Sequence, residues 1–271
     1  MGYYKTYDLG NGVYTIHEML GVGCALILGK EKALLIDTGY GFGNLRKEVT
    51  RLSKGLPLVV VNTHAHCDHC YGNSQFEEVY VHPADIPSLE GGKVKEQYDM
   101  MMGYASKKAP FVLPLLAYGK LRPKPKFKTK IKPLDFSELD LGGRVVRFME
   151  FPGHTPGSVM VLDEATKTIF AGDAVNAGIF LFFDEGLKLS AYASRLDELA
   201  KLKGYDFLRI SHSTEQLPFG FVAWNAGFIR RIEVAKCEKT DFPPALGEVL
   251  LYQEQGPYGD CKAFLLKGQI G

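Results

Sequence analysis

Leu58 to Val61 is a short apolar run, and close behind it the chain reads Thr63-His64-Ala65-His66-Cys67-Asp68-His69. Three histidines and an aspartate within six residues form a dense set of metal-type ligands, costly to bury unless something satisfies them together. A strand end sends alternate side chains to one side, so His64 and His66 can reach one point. The chain then turns, which lets Asp68 and His69 reach a second. A fold built on this sequence has to end a buried strand at an edge where further polar groups can meet these four.

Three such groups follow, each at the end of a strand-like run. They are His154 in Pro152-Gly153-His154-Thr155-Pro156-Gly157, Asp173 in Ala171-Gly172-Asp173-Ala174, and His212 in Ile210-Ser211-His212. Around them the pattern alternates strand and helix. Strands are expected at Val13 to Glu18, Cys24 to Leu28, Ala33 to Ile36 and Leu58 to Val61, with a helix over Leu45 to Leu52. A second strand-rich stretch covers Val145 to Phe151, Ser158 to Leu162 and Thr168 to Ala171. A helix follows over about Tyr192 to Leu202, with Tyr192, Leu196 and Leu199 on one face, then a short strand at Phe207 to Ile210. A long helix, Val222 to Cys237, and strands near Val249 and Phe264 complete the chain. Two similar halves suggest two sheets packed face to face with helices outside. We expect one domain over 1–271, with 216–271 supplying a C-terminal helix and two strands. Residues 84–132 read as an insertion that caps the fold rather than joining a sheet, with helices around Tyr98 to Tyr104 and Phe111 to Tyr118.

With these residues in place, the sequence resembles the metallo-β-lactamase superfamily. The His-x-His-x-Asp-His signature stands whole at 64 to 69, and His154, Asp173 and His212 match the later ligands in order. The resemblance spans about residues 12 to 215 and implies an α/β (α+β) fold, a four-layer αββα sandwich with metals at one edge of the sheets. It implies two divalent ions, zinc foremost, although His and Asp donors also suit iron and manganese. His64, His66 and His154 would hold one ion, Asp68, His69 and His212 the other, and Asp173 would bridge them, with Asp37 supporting the ligands from behind. Such a pair lowers the pKa of bound water to about 7. By the resemblance, the resulting hydroxide would be the nucleophile, and Asp68 would be the catalytic residue that orients it and takes its proton.

Composition narrows the substrate. Formal net charge is +1, which gives no general pull toward nucleic acid or membrane, so a small-molecule substrate is expected. Five scattered cysteines suit reduced thiols, and no signal-peptide-like or membrane-length apolar run is present, so a cytoplasmic location is expected. Basic residues stand at every second position from Lys120 to Lys132. They read as a solvated edge strand or, in the alternative, as a rail for phosphates. An aspartate at 173 argues against one major group of true β-lactamases, which carries cysteine there, and fits the glyoxalase II, lactonase and tRNA-processing branches. Only 39 positions separate Asp173 from His212, too few for an inserted nuclease domain. The 85 positions from His69 to His154 leave room for the cap.

The expected activity is hydrolysis of an ester, thioester or lactone. The alternatives are a phosphodiesterase, an iron-dependent dioxygenase of the persulfide kind, and a non-catalytic metal-binding protein. Tyr98, Tyr104, His82 and Phe180 are candidates to line a substrate pocket, each weighed against a packing role. Cys67 and Cys70 form a Cys-x-x-Cys that is interleaved with the ligands, which argues against redox use.

Overall fold

The computed structural model describes residues 3–108, 127–180, 187–240, 249–266 and 270. Seven strands in sequence order build the first sheet: β1 (Tyr4–Gly10), β2 (Val13–Glu18), β3 (Gly23–Leu28), β4 (Ala33–Ile36), β5 (Leu58–Val61), β6 (Glu78–Val81) and β7 (Lys130–Pro133). The second sheet takes β8 (Glu138–Asp140), β9 (Val145–Glu150), β10 (Val159–Asp163), β11 (Thr168–Phe170), β13 (Phe207–Arg209) and β14 (Gln216–Pro218). A third, small sheet has the order β12 (Gly178–Phe180), β17 (Gly259–Leu266), β16 (Val249–Gly256), β15 (Glu238–Thr240).

Strand alternation decides the layering. Successive side chains point to opposite faces, and here both faces are apolar. On β3 and β4, Ala25, Ile27, Leu34 and Ile36 meet Val159, Val161 and Phe170 of the second sheet, forming the core between the sheets. Their neighbours Cys24, Leu26, Ala33 and Leu35 point outward to Leu45, Val49 and Leu52 of helix α1 (Leu45–Leu52). On β10 and β11, Met160, Leu162 and Ile169 turn the other way, toward α5 (Leu189–Ala200) and α6 (Phe221–Arg230). Helix, sheet, sheet and helix thus stack in four layers. Backbone hydrogen bonds tie the sheets directly: Val159 N–H to the Thr63 carbonyl (2.8 Å) and Gly23 N–H to that of Ser211 (2.7 Å) at one end, Glu31 N–H to that of Leu141 (3.0 Å) at the other.

Among the described residues, three other α-helices lie in the first half. A single turn, α2 (Cys67–Cys70), follows β5, and α3 (Ile86–Glu90) and α4 (Lys93–Lys108) follow β6. Within the expected cap, α3 and α4 are helical, but Lys130–Pro133 is a correction: it pairs parallel with β6 and is the edge strand β7 of the first sheet. The strand supplies Ile131 to the cluster that covers α1. The helix expected over Phe111 to Tyr118 and the start of the basic segment lie outside the described residues. The helix expected over Val222 to Cys237 is shorter and ends at Arg230. Among the described residues no helix is long and apolar enough to cross a membrane.

Candidate metal centre

All seven candidate donors meet at one end of the sandwich, in two groups: His64, His66 and His154, and Asp68, His69, Asp173 and His212. They arrive there because β5, β10, β11 and β13 end at the same edge, or turn back from it. His64 and His66 leave β5 in extended backbone, and α2 then turns Asp68 and His69 to the second group. Asp173 follows β11 through Gly172, whose φ is +55°. A Cβ on Gly172 would lie 2.5 Å from Thr63 Oγ1, so only glycine fits there.

Hydrogen bonds fix which nitrogen of His64, His69 and His154 faces inward. Thr63 Oγ1 donates to Asp37 Oδ2 (2.8 Å), so it accepts from His64 Nδ1–H (3.0 Å) and leaves the His64 Nε2 lone pair free. His154 Nδ1–H donates to the Phe180 carbonyl (2.8 Å), and His69 Nδ1–H to Asp37 Oδ2 (2.8 Å). In each case Nε2 is turned to the cluster. His64 Nε2 and His66 Nδ1 stand 3.1 Å apart. In the second group, His212 Nε2 lies 3.1 Å from Asp173 Oδ2 and 3.3 Å from Asp68 Oδ2. His69 Nε2 is 3.5 and 3.6 Å from Asp173 Oδ2 and Asp68 Oδ2. Asp173 Oδ2 also stands 3.9 Å from His154 Nε2, between the two groups.

Charge separates the groups. Burial, reinforced by the neighbouring histidines, holds His64 and His66 well below the ordinary histidine range, so both are neutral donors. In the second group burial is outweighed by carboxylates. Asp68, Asp173 and Asp37 hold His69 well above its usual range, and Asp173 and Asp68 push His212 up to about 10. Burial works against ionisation of Asp68 too, but His69 and His212 bring it down to about 2. The same carboxylates that favour positive charge on His69 and His212 make this group a place for a cation. His69 Nε2 and His154 Nε2 are fully buried and have no hydrogen-bond partner. Buried polar atoms are rarely left so. Two orphaned imidazole nitrogens beside two carboxylates are a donor set that fits divalent ions.

Several supporting groups carry no sequence signature. Asp85, buried after β6, accepts from Ala65 N–H (2.9 Å), Thr155 Oγ1–H (2.8 Å) and Gly157 N–H (2.8 Å). It thereby joins the His64-Ala65-His66 segment to the turn that carries His154. A Cβ on Gly157 would meet Asp85 at 2.6 Å, so this approach needs glycine. Asn176 donates to Asp173 Oδ1 (3.2 Å), and the Tyr192 hydroxyl holds the Ala174 carbonyl (2.6 Å). Asp37 itself sits at φ +65° and also accepts from Thr63 N–H (2.7 Å). That backbone conformation is uncommon outside glycine, and here three hydrogen bonds from the ligand segment hold it.

The pocket candidates divide. His82 Nδ1 accepts from Ala84 N–H (3.2 Å) and its Nε2 is 3.3 Å from Glu150 Oε1; it belongs to neither donor group. Tyr98 stacks on Tyr71 (3.9 Å between centroids) and packs with Ala65, Cys67 and Cys70, behind the ligand turn. Phe180 stacks on Phe264 (4.8 Å) and reaches the site through its carbonyl. The side chain of Tyr104 lies outside the described residues. Cys67 and Cys70 are buried free thiols, with Cys70 Sγ–H donating to the His66 carbonyl (2.9 Å). An open cleft of about 550 Å³ adjoins His212, on the side of β1 and β2.

The family model described as the metallo-beta-lactamase superfamily matches residues 20–212. The acyl-coenzyme A thioesterase MBLAC2 of Bos taurus is 29% identical over 216 residues, covering 74% of this chain and 76% of its own. A probable metallo-hydrolase of Methanocaldococcus jannaschii is 31% identical over 155 residues, 56% of this chain and 66% of its own. Among solved structures, a metallo-beta-lactamase from Pontibacter korlensis aligns with a TM-score of 0.55 at 16% identity, covering 84% of this chain and all of its own. A metallo-beta-lactamase family protein from Thermus thermophilus gives 0.53 at 21% identity, covering 82% of this chain and 79% of its own. These two likenesses concern the fold.

Proposed function

The chain belongs to the metallo-β-lactamase superfamily, and from that premise we propose that it is a metal-dependent hydrolase of acyl thioesters. The observation that carries the hydrolase reading is the pair of donor groups with Asp173 Oδ2 between them and orphaned histidine nitrogens on both sides. Thioesters are favoured among the expected substrates by likeness to acyl-coenzyme A thioesterases over about three-quarters of both chains.

His64, His66 and His154 would hold one divalent ion, Asp68, His69 and His212 the other, and Asp173 would serve both. Zinc is the first metal to test. Ions held there would supply a water that ionises near pH 7, at about the value for zinc-bound water, and a Lewis acid for the carbonyl. Asp68 is ionised across the physiological range; with Oδ2 turned to the cluster, Oδ1 is left to accept the proton of the attacking water. The leaving thiolate, with an ordinary thiol pKa of about 8.5, departs with little help from an acid. Cys67 and Cys70 are unsuited as nucleophiles, because burial pushes both thiols up.

The test is elemental analysis of protein purified without chelator, followed by a panel of an acyl-coenzyme A, a simple ester, a lactone and a phosphodiester. Two ions per chain and preference for the thioester are expected, with Asp173→Asn lowering occupancy of both sites. A single iron per chain, or cleavage of the phosphodiester alone, would overturn the reading.

A further inference from the structure

The cleft beside His212 has a composition that water attack on a thioester does not require. One wall is β1, where Lys5 and Tyr7 are two residues apart and so share a strand face, with Tyr3 before them. The opposite wall is the chain just after His212, with Ser213 and Thr214. His17 and Met19 complete it. Its volume, about 550 Å³, lies within the range of small-molecule sites.

Lys5 is exposed and has no carboxylate partner among the described residues; its ammonium lies 5.0 Å over the Tyr7 ring. Tyr7 in turn stands edge-on to His17 at 5.7 Å. His17 is nine-tenths buried and its Nε2 has no hydrogen-bond partner. Met19 leaves an apolar side chain 68% exposed at the rim. Among the described residues the only carboxylate in the lining is Glu18, which burial pushes up to about 8, so near neutral pH it adds little negative charge. Arg209, on β13 behind His17, adds a second cation close by. A lone lysine ammonium, tyrosine rings and hydroxyls together suit a ligand with phosphate groups and a flat base.

Resting on the thioesterase reading, we propose that this cleft binds the phosphate-bearing nucleotide arm of the thioester's carrier, with Lys5 as its anion contact. The acyl end then lies toward the metal centre, and His212 marks where the cleft and the centre meet. Lys5 touches none of the seven donors, so removing it leaves the chemistry in place and weakens only the hold on the carrier.

The experiment compares Lys5→Ala with the unaltered, metal-loaded enzyme on two thioesters of the same acyl group, one on coenzyme A and one on N-acetylcysteamine, which has no phosphate. KM for the coenzyme A thioester should rise about tenfold with kcat unchanged, the size of one charge-assisted contact, while the N-acetylcysteamine thioester is unaffected. Calorimetry with adenosine 3′,5′-bisphosphate needs no activity and should show binding that Lys5→Ala weakens by a similar factor. Equal effects on both thioesters, or none on either, together with bisphosphate binding indifferent to Lys5, would overturn the assignment. Bisphosphate binding that depends on Lys5 in a protein that cleaves neither thioester would support the anion site and overturn the thioesterase reading instead.

Discussion

Asp85 contributes no ligand atom, yet its carboxylate fixes the backbone between His64 and His66 and the turn around His154. All three residues of one donor group depend on it, and none of the other group does directly. Asp85→Asn places an amide N–H₂ against donors. The three-histidine site should lose metal affinity by about 10–100-fold, the usual effect of a ligand-orienting partner, while the second site keeps its ion. Metal titration by equilibrium dialysis reads this as one weakened equivalent per chain; parallel weakening of both would refute the division of labour. Glu18 predicts a pH effect. Its carboxyl is pushed up from 4.5 to about 8, burial being the main cause, and it accepts from Tyr40 N–H (3.2 Å). Between pH 4.5 and 8 the folded chain keeps a proton that the unfolded chain has lost, so stability falls as pH rises through that window. Glu18→Gln should melt higher than the unaltered protein at about pH 8.5 and converge with it near pH 4.5; parallel melting curves would contradict this. The seven donors are legible in the sequence because each stands in a dense or strand-terminal pattern. Asp85 and the Phe180 carbonyl are not: one acts on backbone N–H groups distant in sequence, the other through an atom that any residue would offer.

At the scale of elements, periodicity locates most strands and helices but not where tertiary contacts end them. The apolar pattern of α6 runs on through Ile232, yet Arg231 and Ile232 N–H close tighter bonds to the Phe228 and Ile229 carbonyls (3.0 and 3.2 Å). Arg231 then turns its guanidinium to Glu254 of β16 (2.9 Å) and over the Trp224 ring, and the chain leaves for β15. The short β12 is equally hidden, because its partner β17 lies more than eighty residues further along at the paired positions. A change of pattern and an unexpected length mark the cap in the sequence. Its described helix α4 has a task visible only in three dimensions, since Val94 and Tyr98 pack against the α2 turn that carries Asp68 and His69. Tyr98→Ala should destabilise the fold by about 3–5 kcal/mol, as for other large aromatic truncations in a core. A thermal melt measures this, and a midpoint indistinguishable from that of the unaltered protein would mean that α4 is dispensable for the ligand turn.

For the whole molecule, the sandwich follows from apolar residues on both faces of β3, β4 and β10, which demand cover on each side. The division between its sheets is also a division of the sequence. Every strand of the first sheet precedes residue 134 and every strand of the second follows residue 137, so the chain crosses between them once. His64, His66, Asp68 and His69 lie before that crossing, and His154, Asp173 and His212 after it, so neither donor group is complete in either half. A chain cut at the exposed Asp135 should therefore behave as a two-part lock. Fragments 1–135 and 136–271, expressed together, should copurify and bind two ions, and each alone should bind fewer and aggregate through its uncovered sheet face. Chelation should loosen the pair, measured as dissociation on a sizing column, whereas a fragment holding two ions alone would refute it. Metal would then act as the adhesive between two polypeptides, and its supply would set whether they meet as one enzyme.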